Sequence, residues 1–425
     1  MPGARTVIWC GASLLLLGLT LPLILAQAFS TNDAYDEVYY HRPIIATMAA
    51  EFPAVDVVNY NAAMAPGYHV AMAALLRATG SWRAVRAANL AIGVLLVVFA
   101  GEVAWRLSGA VSAAFTTLTL AASSYVVSGS VWLTTDNLGL LLAMGALSLF
   151  LIGRSTAVRS LASGAFGAAA ALVRQIHIWT AVPIAMNALW EASSADDRGA
   201  RRIAAFVAPA AIPVVAIGSL VLLWGGLLPP RFVGHHGGWN ATTFVFGLAL
   251  IGIYGAPWIV LLRADAKRAA ASGKGAVALT IAAGAALAPS SYNPDAGRWG
   301  GWLWEAARRA PVVLDRSVLL SALAIAGSLV VATLARRAVD RGRTREMFLL
   351  VVALASWMAA QSANFQVWQR YFEPAVLILL SWLIALAPPP LDRGRWAVPL
   401  AMIGLVVAAT LLLVHGDVYG FLPAR

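Results

Sequence analysis

Cysteine and charge are the two things this chain is short of. Its one cysteine, Cys10, excludes an internal disulfide framework and any thiolate metal centre, since both need several sulfurs. Charged residues make up 12% of the chain, where a soluble domain carries about 25%. So little charge cannot keep a folded surface in water. No polar run is long enough to bury a core of its own, so no soluble domain fits between the apolar stretches. The net charge of +11 comes without a basic stripe interleaved with base-stacking aromatics, which excludes a nucleic-acid partner. No clear internal repeat is visible, and that weighs against an inverted-repeat transporter.

Hydrocarbon fills the space that charge leaves. Hydrophobic residues are 60% of the 425, gathered in apolar stretches that recur from end to end. Stretches of this length read as membrane-spanning helices; the strands of a barrel would read as ~10-residue alternating segments. The fold class expected is therefore an all-α polytopic membrane protein, partnered by the lipid bilayer. Thirteen spans are expected, near 7–29, 87–107, 109–131, 136–153, 157–174, 176–190, 203–227, 241–262, 275–289, 317–334, 347–365, 374–388 and 396–414. The spans at 176–190 and 275–289 are short and suit re-entrant or broken helices. The first stretch resembles a signal peptide, with Arg5 before it and Leu25-Ala26-Gln27-Ala28 after it. A signal peptide's apolar region runs ~7–15 residues, and this one is longer, so it is expected to stay as a helix.

Alternate loops divide the charge unevenly. One set, from Arg5 through Arg159, Arg268 and Arg337 to Arg395, holds 18 of the 30 basic residues and 8 of the 19 acids. The other holds the remaining 12 basic and 11 acidic residues. Cytoplasmic loops carry the excess of Lys and Arg, so the N-terminus is expected in the cytoplasm and the C-terminus outside a cell (inner) membrane. The chain reads as a single transmembrane domain, 1–425. Two extracytoplasmic loops, 30–86 and 289–316, are expected to carry interfacial helices.

The outer loops hold the chemistry. Asp36 and Glu37 follow the first span, and His41 comes soon after. Apolar residues at Val38, Ile44, Ile45, Met48, Ala49 and Phe52 predict an amphipathic helix ended by Pro53. A second helix is expected after Pro66, with Gly67-Tyr68-His69 in its first turn. By the same alternation, Thr134-Thr135-Asp136-Asn137, Arg174-Gln175-Ile176-His177 and Gln369-Arg370-Tyr371-Phe372-Glu373-Pro374 fall on that side too. Carboxylates and arginines sharing one face are what binding an anionic lipid-linked substrate beside a base requires.

The set Asp36-Glu37, Pro66-Gly67-Tyr68, Leu76-Arg77, Asn89, Thr135-Asp136, Arg174-Gln175 and Arg370-Tyr371-Phe372 with Pro374 resembles the GT-C membrane glycosyltransferases. In order and length it is most similar to the dolichyl-phosphate-glucose-dependent alpha-1,2-glucosyltransferases. Its Asp-Glu loop and Arg-Tyr-Phe corner also resemble those of lipid-A aminoarabinose transferases and protein O-mannosyltransferases. The sequence departs from the pattern in having one extra aromatic between Glu37 and His41, Ala65 before Pro66, and Ile176-His177 after Gln175.

The resemblance implies transfer of a sugar from a polyprenyl-phosphate donor to a lipid-linked glycan, polysaccharide or protein acceptor on the outer face. A phosphate ester departs without protonation, so one general base suffices, where a glycosidase needs two carboxyls. Asp36 is the candidate base and Glu37 the next; the alternative is that the pair caps a surface helix. Asp136 orients the acceptor, shares a divalent ion (Mg²⁺ or Mn²⁺) with Asp36, or caps the next helix. Arg370 and Arg174, with Tyr371, His69, His41 and Gln175, are the candidates for holding donor phosphate and sugar. For the arginines the alternative is snorkelling, and for the histidines a bond to backbone. His235-His236 suits loop solvation better than a metal, since adjacent histidines point apart. Trp299, Trp302 and Trp304, with Arg298, Arg308 and Arg309, are expected to form an interfacial anchor. The rival functions are a transporter or flippase of lipid-linked sugars, which would need acids near the bilayer midplane, and a non-catalytic subunit of a glycan-assembly complex.

Overall fold

The computed structural model describes residues 2–27, 29, 31, 34–153, 156–193, 200–233, 238–389 and 393–419. His235-His236 lies outside the described residues. Each expected span falls on a helix or a broken pair of helices. In chain order these and the shorter helices are α1 (Pro2–Leu25), α2 (Arg42–Glu51), α3 (Gly67–Thr79), α4 (Trp82–Ser108), α5 (Ala110–Ala122), α6 (Ser124–Val131), α7 (Asp136–Leu151), α8 (Ala157–Val173) and α9 (Ala181–Ser193). They continue as α10 (Ala200–Trp224), α11 (Thr242–Leu261), α12 (Arg263–Ala270), α13 (Gly273–Ala286), α14 (Trp302–Arg308), α15 (Val318–Asp340), α16 (Thr344–Gln361), α17 (Gln369–Leu386) and α18 (Ala397–Thr410). A two-residue antiparallel hairpin, Val312–Val313 with Arg316–Ser317, precedes α15.

The protein is thus an all-α polytopic membrane protein. Among the described residues, seven helices are long and apolar enough to cross a bilayer, or nine if two bent pairs each count as a span. That is fewer than the thirteen expected. The shortfall sits in α7, α8 and α9, which are apolar but short, and in α16, whose first turn carries Arg345 and Glu346. The stretch at 109–131 is broken between α5 and α6 by a 58° bend, and the one at 275–289 meets α12 at 84°. The stretch at 176–190 begins as a 3₁₀ turn, Gln175–Thr180, before α9.

The chain forms two compact units, 1–102 with 120–236 and 405–425, and 103–119 with 237–404. In the first, α7 packs on α8, α8 and α9 on α10, α2 on α3, and α1 on α6. The two helices expected within 30–86 appear where the sequence places them. Ile44, Ile45, Met48 and Ala49 form the buried face of α2, and they share a core with Tyr68, Met72 and Ala73 of α3. Pro66 is the residue before α3, and Gly67 must be small because a Cβ there would meet the Leu172 carbonyl oxygen at 2.7 Å.

In the second unit α11 and α15 form the central pair. Gly252 and Gly327 face each other there, and a Cβ on either would strike the opposite backbone, at Leu323 and Leu248. Small residues let helix backbones approach closely where lipid gives no hydrophobic drive. α17 is buried nearly throughout, from Phe372 to Leu386.

Candidate functional site

The first unit gathers most of the residues singled out above into one framework. Asp36 and Glu37 sit in consecutive helical positions, with Glu37 opening a π-helical turn, Glu37–His41. Consecutive helical residues project roughly 100° apart. Glu37 therefore turns inward and is fully buried, while Asp36 stays half-exposed.

The buried carboxylate is met on every side. Arg86 of α4 holds it with two parallel N–H bonds, one from Nη1 at 2.8 Å to Oε2 and one from Nη2 to Oε1. The backbone N–H of Leu133 donates to the same Oε2 at 2.8 Å, and Arg86 also donates to the Val131 carbonyl. A fork of this kind is the geometry guanidinium and carboxylate favour. It ties three remote segments together: the first outer loop, α4, and the 132–135 turn between α6 and α7.

Asn89 lies one helical turn beyond Arg86 and closes the same turn from below. Its Nδ2 donates to the carbonyls of Gly129, Ser130 and Trp132, at 3.0–3.3 Å, and its Oδ1 accepts from the Tyr68 hydroxyl at 2.9 Å. Asn137 reaches back to Val126 and Ser130. The turn so pinned leads directly into Asp136. The Oγ1 atoms of Thr134 and Thr135 are buried there without a partner.

Asp136 pairs with Arg174, both of them mostly buried. Gln175, next along, spends its amide on backbone: Oε1 accepts from Ala65 N–H, and Nε2 donates to Ala63 and Leu227 carbonyls. It therefore positions the segment leading into Pro66 and α3. His177 Nδ1 accepts from Trp179 Nε1 at 3.2 Å, and a Cβ at Gly139 would meet the His177 ring.

The two outer-loop histidines meet each other. His41 Nδ1 and His69 Nε2 lie 2.8 Å apart with rings stacked at 5.1 Å, both buried. His69 is crowded edge-on by Tyr60 and Tyr68, and its Nδ1 is buried without a partner. Burial, and then the charge of His41, holds the His69 imidazole well below its ordinary range. It stays neutral at physiological pH, so one ring nitrogen is a donor and the other an acceptor.

Arg370 and Tyr371 belong to the second unit. The Arg370 guanidinium lies over Trp368 at 4.4 Å and Tyr371 at 4.9 Å, and its Nη2 donates to the Tyr371 hydroxyl at 2.9 Å. Glu373 is buried and accepts from Gln369 Nε2 at 2.7 Å and Trp302 Nε1 at 3.3 Å.

Within the anchor expected at 298–309, the tryptophans differ in their surroundings. Trp304 is fully buried, stacks on Phe246 at 4.9 Å and donates to the Val367 carbonyl. Trp302 serves Glu373, and Arg298 is buried against Asp315 at 3.0 Å. Trp304 is a core residue of the second unit, Trp299 and Trp302 are partly exposed, and Arg308 and Arg309 keep solvent contact through Glu305.

Among the described residues, no three His, Cys, Asp or Glu side chains gather in a way that would hold a metal ion.

Two residues that matter here escaped the sequence reading. Arg86 was visible only as the charged end of a loop, although its spacing of three from Asn89 puts both on one helix face. Tyr60 had no signal at all; it closes over His69 and donates to the Met64 carbonyl.

No family model and no curated protein matches the chain. Among solved structures it is similar to ArnT from Cupriavidus metallidurans in the apo state, at TM-score 0.48 and 17% identity over 90% of this chain and 60% of that one. The same protein bound to undecaprenyl phosphate gives TM-score 0.48 and 16% identity over 95% and 66%. The chain spans less than two thirds of the length of these neighbours.

Proposed function

We propose that the protein is a membrane glycosyltransferase of GT-C type that uses a polyprenyl-phosphate-linked sugar as donor. The reading places the reaction on the extracytoplasmic face of the cell membrane, with a glycan, lipid-linked or protein acceptor. The observation that carries it is the Glu37–Arg86–Leu133 clamp. It fixes Asp36, the adjacent half-exposed carboxylate, in one frame with the turn that bears Asp136.

In this reading Asp36 is the general base. It takes the proton of the acceptor hydroxyl as that oxygen bonds to the anomeric carbon; the bond from that carbon to the phosphate oxygen breaks, and the polyprenyl phosphate leaves with the electron pair. Attack opposite the leaving group inverts the centre. Asp136 orients the acceptor while Arg174 balances its charge. His69, neutral and with a spare ring nitrogen, is a hydrogen-bond partner for a sugar hydroxyl; His41 sets its tautomer. Glu37 and Gln175 act as positioning residues, because their polar atoms are bonded within the framework. Arg370, with Tyr371, is proposed as a phosphate ligand within the second unit: its charge is permanent, and two aromatic faces orient it.

Transport of a lipid-linked sugar would call for acids available deep in a span. The one such acid in the expected spans, Glu102 of α4, pairs with Arg5 of α1, which favours the transferase over a transporter or flippase.

The test is to incubate the purified full chain in liposomes with radiolabelled polyprenyl-phosphate sugars and a membrane extract as acceptor. Sugar-dependent release of polyprenyl phosphate together with label in an extract glycan is expected. Translocation of the donor without release would replace the transferase with a flippase. Absence of both, with label appearing only when other envelope proteins are added back, would make the chain a non-catalytic subunit.

A further inference from the structure

The second unit contains a large apolar cleft that the transferase reading does not use. It has a volume of about 1050 Å³ and is bounded by α11, α13, α15 and α16. That is the size of a large small-molecule site, which runs to ~1,000 Å³. Small residues make the room: Ala278 and Gly284 of α13 and Ala332 and Ala335 of α15 are among those lining it. α12 and α13 meet beside the cleft at an 84° bend. Ile281, which lines the cleft, is 64% exposed, and Val277 on the same helix is 60% exposed, so α13 presents bare apolar surface.

Charge in the lining is confined to one end. Arg336, Asp340 and Ser272 line the cleft there. Arg336 donates Nη1 to the Arg268 carbonyl at 2.8 Å, and its Nε lies 4.0 Å from Asp340. Its side chain is 39% exposed, and a guanidinium has five N–H groups, so donors remain for a ligand. Its neighbour Arg337 is committed instead to Asp265 and the Pro388 carbonyl. Arg263, Lys267, Arg268, Arg341 and Arg343 are close in sequence to that same end, in the loops that carry the excess of positive charge. By the positive-inside rule they face the cytoplasm.

We propose that this cleft binds an anionic phospholipid of the cytoplasmic leaflet, its acyl chains along α13 and its phosphate at Arg336. The apolar walls call for hydrocarbon, since water gains nothing there. The basic end calls for a headgroup with net negative charge, because lipid surfaces of that sign attract clustered Lys and Arg. The site is independent of the sugar-transfer chemistry.

Native mass spectrometry of the full chain in detergent tests this, with phosphatidylglycerol and phosphatidylcholine of identical acyl chains offered together. The wild type should retain phosphatidylglycerol preferentially. Arg336→Gln should cut the phosphatidylglycerol-to-phosphatidylcholine ratio about fivefold, the loss of one cationic contact. Ala332→Phe and Ala278→Phe, which fill opposite walls, should lower retention of both lipids. An unchanged ratio in Arg336→Gln, or undiminished retention in folded wall variants, overturns the proposal. So does displacement of phosphatidylglycerol by polyprenyl phosphate in the wild type but not in Ala332→Phe, which would assign the cleft to that lipid. Should both wall variants fail to fold, the Arg336→Gln ratio, which needs no repacking, decides.

Discussion

Each unit buries one glutamate beside its outer-loop residues, and the two are held differently. Glu37 meets a full positive charge in fork geometry and a backbone N–H, and it joins segments 49 and 96 residues away. Glu373 accepts from the side chains of Trp302 and of Gln369 in its own first turn. Removing one partner of a buried ion pair strands a charge, so the Glu37 fork is costly to break. The first arrangement therefore behaves as a keystone for three segments. The second stitches α14 to α17.

Five variants and conditions follow, taken broadly in falling order of effect. Glu37→Ala should destabilise the protein by about 3–5 kcal/mol, because Arg86 and the Leu133 N–H both lose their acceptor. Thermal unfolding followed by tryptophan fluorescence reads this. Replacing both partners, with Glu37→Leu and Arg86→Met, should recover part of the loss but not all, since the Leu133 N–H and Val131 carbonyl remain unpaired. A Glu37→Ala protein with wild-type melting would dissolve the keystone. Asn89→Ala should cost about 2–3 kcal/mol through the carbonyls it deserts, and the loss should not add to that of Glu37→Ala, because both release the same turn. Glu373→Gln should cost about 1–2 kcal/mol, and a cost equal to that of Glu37→Ala would erase the contrast.

The smallest effect is on pH. His69 is held below the ordinary imidazole value of 6.5, so on acidification the unfolded chain takes up a proton that the folded one refuses. Its influence is absent above that value, and stability falls as pH drops below it. His69→Gln should flatten the melting temperature between pH 7 and pH 5; an unchanged slope would remove His69 as its source.

The helices were legible in the sequence because apolar length and turn residues are local signals. The α2 face, the start of α3 after Pro66, and the breaks at 176–190 and 275–289 all follow from runs of side chains and single prolines or glycines. The count of spans was not, because α7, α8 and α9 are apolar yet stop short, and hydropathy does not report where a helix ends against its neighbours.

The candidate residues were legible as a set but not by role. Asp36 and Glu37 look equivalent in a string of letters, and only the helical rotation between them decides which one is buried. In the string of letters Glu37 is a candidate base, Gln175 a candidate substrate ligand and Trp304 part of an expected anchor. Each has found its partner far along the chain, in Arg86, Ala65 and Val367, and long-range pairing leaves no trace in spacing. Arg86 shows the reverse failure: an arginine at the start of a span reads as a topology marker until its carboxylate is known.

The account turns on the division of labour between the two adjacent acids. The most direct test measures sugar transfer and melting temperature together for purified Asp36→Asn in liposomes. Transfer should fall by ~100-fold or more, within the range general-base catalysis supplies, while melting stays within a degree or two of the wild type. Near-normal transfer by that protein would contradict the assignment of Asp36 as the base.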